Sequence, residues 1–287
     1  MAEQEFSGKV AIVSAGGAGI GRATAIQLAE CGAAVVVADL SPANADATVH
    51  AIRDSGGSAI PFVMDLGQSE DAQRTVDAAI EAFGRLDILV NCAAILGSLK
   101  PILETTKSDW EKVLHTNVIG TVLLTQASVR QMLAQHGGGA IVNILAIQAL
   151  MPLPAHGPYA ASRGALSSFT RSLAVELASE GIRVNGIAVG SIYTDSARNA
   201  LEKPGDNYKE MADVPEEIDD GAATLVGRMG RPEEIANVAV FLASERASYL
   251  AGAIIPAEGG RLISRKPDPF LIAQQIRNAS RDSGNSK

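Results

Sequence analysis

Val10-Ala11-Ile12-Val13-Ser14-Ala15-Gly16-Gly17-Ala18-Gly19-Ile20-Gly21-Arg22-Ala23-Thr24-Ala25-Ile26 decides the fold. Five residues suited to a buried strand run into a turn with glycine at 16, 17, 19 and 21, and then into a helical pattern. Glycines there let backbone amides and the positive helix end approach an anionic group without Cβ clashes. Strand, glycine turn and helix in that order describe a pyrophosphate site. Asp39, ending the next strand about twenty residues on, is placed to accept hydrogen bonds from an adenosine ribose. Candidate dinucleotide contacts are therefore Ser14, Gly16, Gly17, Gly19, Ile20, Asp39 and Leu40.

Outward from this stretch the same rhythm repeats. Apolar runs at 10–14, 34–39, 59–64, 86–91, 140–145, 183–188 and 252–256 read as strands. Between them, 20–31, 43–55, 69–83, 108–135, 158–180 and 232–243 read as helices. Alternation of this kind implies parallel pairing through right-handed crossovers, with helices on both faces. The unbroken Val35-Val36-Val37 suits a strand buried on both sides. The expected fold is an α/β, single-domain, Rossmann-type doubly wound parallel sheet spanning residues 1–265. Two segments depart from the rhythm. Residues 192–231 are long, strand-free and rich in Asp and Glu, as a substrate lid would be. The tail, 266–287, holds Pro267 and Pro269 and a polar ending, and is expected to fray.

With 47% hydrophobic residues among 287, the chain can bury a large core. Its net charge of −8 argues against a nucleic-acid or anionic-membrane partner, since an acidic surface repels phosphate. Cys31 and Cys92 form no C-x-x-C pair, so neither a zinc site nor a disulfide framework is expected, and the cytoplasm is the expected compartment. The start lacks the basic and apolar regions of an export signal. The most lipid-like run, 140–155, is interrupted by Asn143, Gln148, Pro152 and Pro154, which argues against a membrane span.

The ordered motifs resemble those of the short-chain dehydrogenase/reductases over roughly residues 7–262. Ser14 to Gly21 is similar to that family's Thr-Gly-x-x-x-Gly-x-Gly, with Ser14 for Thr and Ala15 for the first Gly. If Ala15 takes a positive φ, it costs on the order of 1 kcal/mol. Asp65-Leu66 matches the adenine-contacting pair, and Asn91-Cys92-Ala93-Ala94 stands for Asn-Asn-Ala-Gly. Asn117 matches the helical asparagine that holds a water in a proton relay. Val184 to Gly190 resembles Val-Asn-x-Ile-x-Pro-Gly with Val189 for proline, and Thr194 falls where the family contacts the nicotinamide amide. The resemblance thus adds Asp65, Leu66, Asn91, Ala93, Gly190, Ile192 and Thr194 to the cofactor contacts. It implies NAD, because Asp39 repels the extra phosphate of NADP and Ala18 supplies no basic residue. The long helices at 108–135 and 158–180 resemble those that pair across two-fold axes, which implies a homotetramer or homodimer.

The resemblance breaks at the proton-handling centre. Where the family has Tyr-x-x-x-Lys, this chain has Tyr159-Ala160-Ala161-Ser162-Arg163, and Ala146 stands in place of the catalytic serine. Tyr159 and Arg163 are i and i+4 on one helix and share a face. Arg163 can hydrogen-bond ribose hydroxyls but cannot release a proton at working pH. Ala146 offers no donor to a carbonyl oxygen, a loss typically worth about 10²–10³ in rate. Gln148 and His156 are the candidate replacements. The resemblance implies an NAD(H)-dependent enzyme interconverting a secondary alcohol and a ketone. Aliphatic Leu96, Leu150, Leu153, Leu201, Met211, Val214 and Leu225 hint at a small apolar substrate. Two rivals remain open. One is an NAD-binding homologue impaired in catalysis. The other is a non-redox enzyme like the halohydrin dehalogenases, which share Tyr-x-x-x-Arg but keep the serine and abandon the glycine turn.

Overall fold

The computed structural model describes residues 4–194 and 223–266. Most of the expected lid, with Leu201, Met211 and Val214, and the tail beyond residue 266 lie outside the described residues.

Seven strands form one sheet: β1 (Val10–Ser14), β2 (Ala34–Asp39), β3 (Ser58–Val63), β4 (Ile88–Asn91), β5 (Gly139–Ala146), β6 (Ile182–Val189) and β7 (Ile254–Ala257). Their order is β3-β2-β1-β4-β5-β6-β7, and every pairing is parallel. The strand order reverses between β1 and β4, and in such sheets ligands bind in the crevice outside the carboxyl ends at that point.

The helices are α1 (Gly19–Glu30), α2 (Pro42–Asp54), α3 (Ser69–Phe83), α4 (Lys107–Leu114), α5 (Thr121–Ala134), α6 (Gly157–Leu177) and α7 (Pro232–Ala243). The period-2 alternation of strand side chains sorts the core into two layers. Ala11, Val13, Val35 and Val37 face Leu28 of α1, Ile52 of α2 and Ala239 of α7. Val10, Ile12, Val36 and Ala38 face Val76 of α3, Leu124 of α5 and Leu177 of α6. All three valines of β2 are fully buried, each contributing roughly 1.5–3 kcal/mol.

Several boundaries differ from those the sequence suggests, three of them as follows. The helix expected over 108–135 is two helices, α4 and α5, joined by a π-helical turn at His115–Gly120. Packing causes the break: Gly120 lies so close to the Leu66 carbonyl that a Cβ would overlap it, and Asn117 reaches to Ile95. β4 begins at Ile88, because the Leu86 amide bonds Gln135 Oε1 at 2.8 Å. β7 lies two residues later at its start than expected, at Ile254.

The N-terminal edge of the sheet is closed by fully paired charges. The Asp87 carboxylate accepts from the Val10 amide at 2.9 Å, from Arg85 Nε at 2.8 Å and Nη2 at 2.7 Å, and from Lys9 Nζ at 3.3 Å. Burial pushes its carboxyl up, but these partners outweigh burial and leave it below the ordinary value. Arg183, second residue of β6, donates to four carbonyls at the end of α7 and the turn after it, those of Leu242, Ala243, Ser244 and Ala247. Among the described residues no helix is long and apolar enough to cross a membrane, and no cluster of His, Cys, Asp and Glu could hold a metal.

Candidate active site

The glycine turn is set by close approaches. Ala15 takes φ 50°, a left-handed conformation that the sequence leaves to an alanine. A Cβ on Gly16 would meet Val13 O at 2.9 Å, and one on Gly21 would overlap the Ala15 carbonyl. The Gly17 amide donates to Asp39 Oδ2 at 2.9 Å, and the Ser41 amide to Asp39 Oδ1 at 2.9 Å. Asp39 is thereby held at the end of β2 while the turn is held over it. Gly19, at φ 50°, opens α1 and faces Thr194, whose Cγ2 lies 3.2 Å from where a Cβ would stand. The helix has neither a side-chain cap nor an acidic residue in its first turn. Its first amides, those of Gly19 and Ile20, are left for an anion with the helix dipole behind them, while the Gly21 amide is turned to the Cys92 thiol. A cavity of about 510 Å³ opens beside them, lined by Gly19, Arg22, Thr194 and Arg231 among others.

Of the other expected contacts, Leu40 is exposed at the rim, while Leu66 is buried against Gly120. Asp65 Oδ1 accepts from the Gly67 amide at 2.8 Å, an arrangement confined to its own turn. Ala93 follows β4 and is half-buried. Gly190 packs its Cα against the Glu258 backbone, and Ile192 bridges to Gly230. Two side chains expected at the cofactor turn instead to internal bonds. Ser14 is buried; its hydroxyl accepts from the Cys92 and Ala93 amides at 2.9 and 3.1 Å, tying β1 to the end of β4. Asn91 Nδ2 donates to Thr125 Oγ1 at 3.0 Å and Asn143 Oδ1 at 2.8 Å, and Asn143 in turn donates to Thr170. Both positions bring their side chains to the sheet interior because strand alternation turns them inward.

α6 carries Tyr159 and Arg163 on one face. The Arg163 guanidinium stacks over the Tyr159 ring, 4.7 Å from its centroid, a cation–π contact. Arg163 is almost wholly buried, and Nη1 donates to the Ile144 carbonyl at 3.3 Å. Its Nε has no partner, and no carboxylate among the described residues pairs with it. Ala146 ends β5, buried, in register with Val189. Gln148 sits half-buried in the 3-10 turn Ile147–Ala149, its amide without a bond among the described residues.

Asn117 is fully buried; Oδ1 accepts from the Ile95 amide at 2.8 Å and Nδ2 donates to the Ile95 carbonyl at 2.9 Å. The same Nδ2 reaches Ser162 Oγ at 3.1 Å, and that hydroxyl donates to the Tyr159 carbonyl at 2.7 Å. Ser162 is the residue the sequence reading missed, since nothing in its spacing marks it apart from its place between Tyr159 and Arg163. Asn117 and Ser162 thus fix the first turn of α6 to the loop after β4, at Ile95. The Cys92 thiol lies nearby, and burial pushes it up to about 12 against the opposing influence of Arg163 and the Gly21 amide. It is an un-ionised thiol at neutral pH.

A family model described as enoyl-(acyl carrier protein) reductase matches residues 15–261. The chain belongs to the short-chain dehydrogenase/reductase family. It is 38% identical over 261 residues to short chain dehydrogenase/reductase astE of Aspergillus oryzae, covering 90% of this chain and 97% of that protein. It is 39% identical over 254 residues to dehydrogenase/reductase SDR family member 4 of Bos taurus, covering 88% and 87%. The crystal structure of levodione reductase superposes with a TM-score of 0.81 at 31% identity, covering 89% of this chain and 98% of that one. Membership makes this an enzyme of the dehydrogenase/reductase type, in a family that uses NAD(P). The residues present fit such a dinucleotide: the uncapped start of α1 suits its phosphates, and the buried guanidinium with an unpartnered Nε suits a ligand rich in acceptors.

Proposed function

We propose that the protein is an NAD(H)-dependent oxidoreductase interconverting a secondary alcohol and a ketone on a small, apolar substrate, with an unusual proton-handling centre. One observation carries the reading: the uncapped start of α1 at the glycine turn and the stacked Tyr159–Arg163 pair lie at the same edge of the sheet. Asp39 favours NAD over NADP, since a carboxylate held by the Gly17 and Ser41 amides repels a ribose phosphate. Bound coenzyme supplies or accepts the hydride. Tyr159 exchanges the proton of the substrate oxygen. Arg163 donates to ribose hydroxyls and holds the Tyr159 ring by stacking, but does not carry a proton. Ala146 gives the substrate oxygen no donor, and Gln148 or His156 takes that part. The chain works in the cytoplasm as a homotetramer or homodimer. Its two unpaired cysteines and the exposed Ile119 and Val175 support that assignment.

A screen of alcohols with NAD and ketones with NADH, repeated with NADP(H), tests the proposal. Activity with NAD(H) is expected, and Tyr159→Phe should lower it by about 10²–10⁴ while NADH still binds. An activity untouched by that change contradicts the assignment of Tyr159. The second reading, an NAD-binding homologue without turnover, is favoured by Ala146 and Arg163 standing together in one centre. It predicts coenzyme binding with no activity across the screen.

A further inference from the structure

One residue interrupts the apolar run of β5. In Ile141-Val142-Asn143-Ile144-Leu145 the amide of Asn143 sits mid-strand, and all five residues are buried. On α6, Thr170 likewise places a hydroxyl in the core, with no exposed surface. Burying an amide is costly unless it is bonded, and a bonded buried network rigidifies a core and selects one arrangement of it.

The bonds of this network run in one direction. Thr170 Oγ1 donates to the Leu166 carbonyl at 2.8 Å, and a carbonyl oxygen only accepts. With its proton committed there, the hydroxyl accepts from Asn143 Nδ2 at 2.9 Å. Asn143 Oδ1 is thereby turned to β4, where it accepts from Asn91 Nδ2 at 2.8 Å. The same Nδ2 reaches Thr125 Oγ1 of α5 at 3.0 Å. One carbonyl of α6 thus sets which way both amides face, and the helix is tied through β5 and β4 to α5. The tie lands on the helix that carries the proton-handling pair. Tyr159, Arg163, Leu166 and Thr170 stand at i, i+4, i+7 and i+11, one stripe of α6. Apolar packing of that stripe on the sheet is non-directional and would let the helix slide or roll. Near its start, Ser162 Oγ accepts from Asn117 Nδ2 at 3.1 Å, and Arg163 Nη1 reaches the Ile144 carbonyl at 3.3 Å. The Asn143–Thr170 bond, two turns further on, supplies a second fixed point, and two points set the position and roll of the helix.

We propose that Asn143 and Thr170 are positioning residues that hold Tyr159 and Arg163 in register with coenzyme and substrate. This rests on the oxidoreductase reading. Neither side chain reaches a reactant from inside the core; each acts through the placement of α6. A helix displaced by a fraction of its rise per residue would carry the phenol out of line with the reacting oxygen, and misplacement of that order is costly to rate.

The test reads the Tyr159–Arg163 pair directly. The Arg163 guanidinium lies over the Tyr159 ring, so its Nε–H proton carries a ring-current shift that NMR reports in protein labelled with 15N in arginine. Tyr159→Leu assigns that signal by abolishing the shift. In Thr170→Val the signal should move toward its position in Tyr159→Leu, and in Thr170→Ser it should stay where the wild type has it. Ser244→Ala removes another buried hydroxyl, bonded to the Phe241 carbonyl at the N-terminal edge of the sheet, and should leave the signal in place. On a substrate from the screen, Thr170→Val should lower kcat by about 10–100-fold with KM and NADH affinity nearly unchanged, and Thr170→Ser should recover most of the loss. An Arg163 signal unmoved in folded Thr170→Val, or a loss of kcat that Thr170→Ser does not recover, overturns the proposal. Asn143→Ala cuts the same bond from the strand side and replaces Thr170→Val if that variant does not fold. If the wild type turns over nothing while the Arg163 signal still follows Thr170, the oxidoreductase reading fails and the placement of the pair stands. If the wild type is active and both readouts ignore Thr170, this proposal alone fails.

Discussion

The two edges of the sheet treat polar groups in opposite ways. At the N-terminal edge every lone pair of consequence has a donor: Asp87 is held by Val10, Arg85 and Lys9, and Arg183 fills four carbonyls. At the C-terminal edge the start of α1 is uncapped, Arg163 Nε lacks an acceptor, and no residue among those described bonds the Gln148 amide. Leaving a buried polar group unpaired costs on the order of 1–3 kcal/mol; besides Arg163 Nε, Asn91 Oδ1 near the same edge and Ser128 Oγ on α5 are also unpaired, so the contrast rests on the guanidinium together with the uncapped helix start. The closed edge holds the sheet together, and the open edge is where a ligand belongs.

That contrast can be broken from either side. Asp87→Ala strips the closed edge and leaves two cations without a counter-charge. Because Lys9 and Arg85 are partly exposed and can rehydrate, the main loss is the donor-acceptor pairing at the buried Val10 amide, about 1–3 kcal/mol, read as a fall in Tm of roughly 5 °C, with NADH affinity unchanged. Because the Asp87 carboxyl titrates below its ordinary value when folded, its contribution is complete above about pH 4 and fades as pH falls further. The variant should lack that acid-side loss; an unchanged acid limb would mean Asp87 does not anchor the edge. At the open edge, Ala146→Ser with Arg163→Lys should raise turnover on a ketone by about 10²–10³ without altering stability much. No gain in a folded variant would place the divergence in the substrate pocket. The smallest change is Ala15→Gly, which relieves φ 50° and should stabilise by up to about 1 kcal/mol. A loss of stability there would mean the alanine methyl packs usefully.

Much of this was legible in the sequence, for a physical reason. Strands buried on both faces must be apolar throughout, so Val10 to Val13 and Val35 to Val37 announce themselves, and a glycine turn before a helix has few other uses. The π turn at 115–120 was not legible. Its residues suit an α-helix as well as their neighbours do, and only the approach of Gly120 to Leu66 and of Asn117 to Ile95 distorts them. The motif places Ser14 and Asn91 beside the cleft, and the structure adds that strand alternation turns both side chains to internal bonds. Ser162 carried no signal of its own. Arg163 could be seen as a replacement for lysine, yet its stacking on Tyr159 is a tertiary fact.

The central claim is that a dinucleotide lies along the open edge, its phosphates on the start of α1. An NADH titration of wild type and Gly19→Val tests it most directly, since valine there meets both φ 50° and Thr194. The account predicts saturable micromolar binding by the wild type and at least about a hundredfold weakening in the variant, a difference near 2.7 kcal/mol. Equal affinity in the two, or no binding by either, would contradict it.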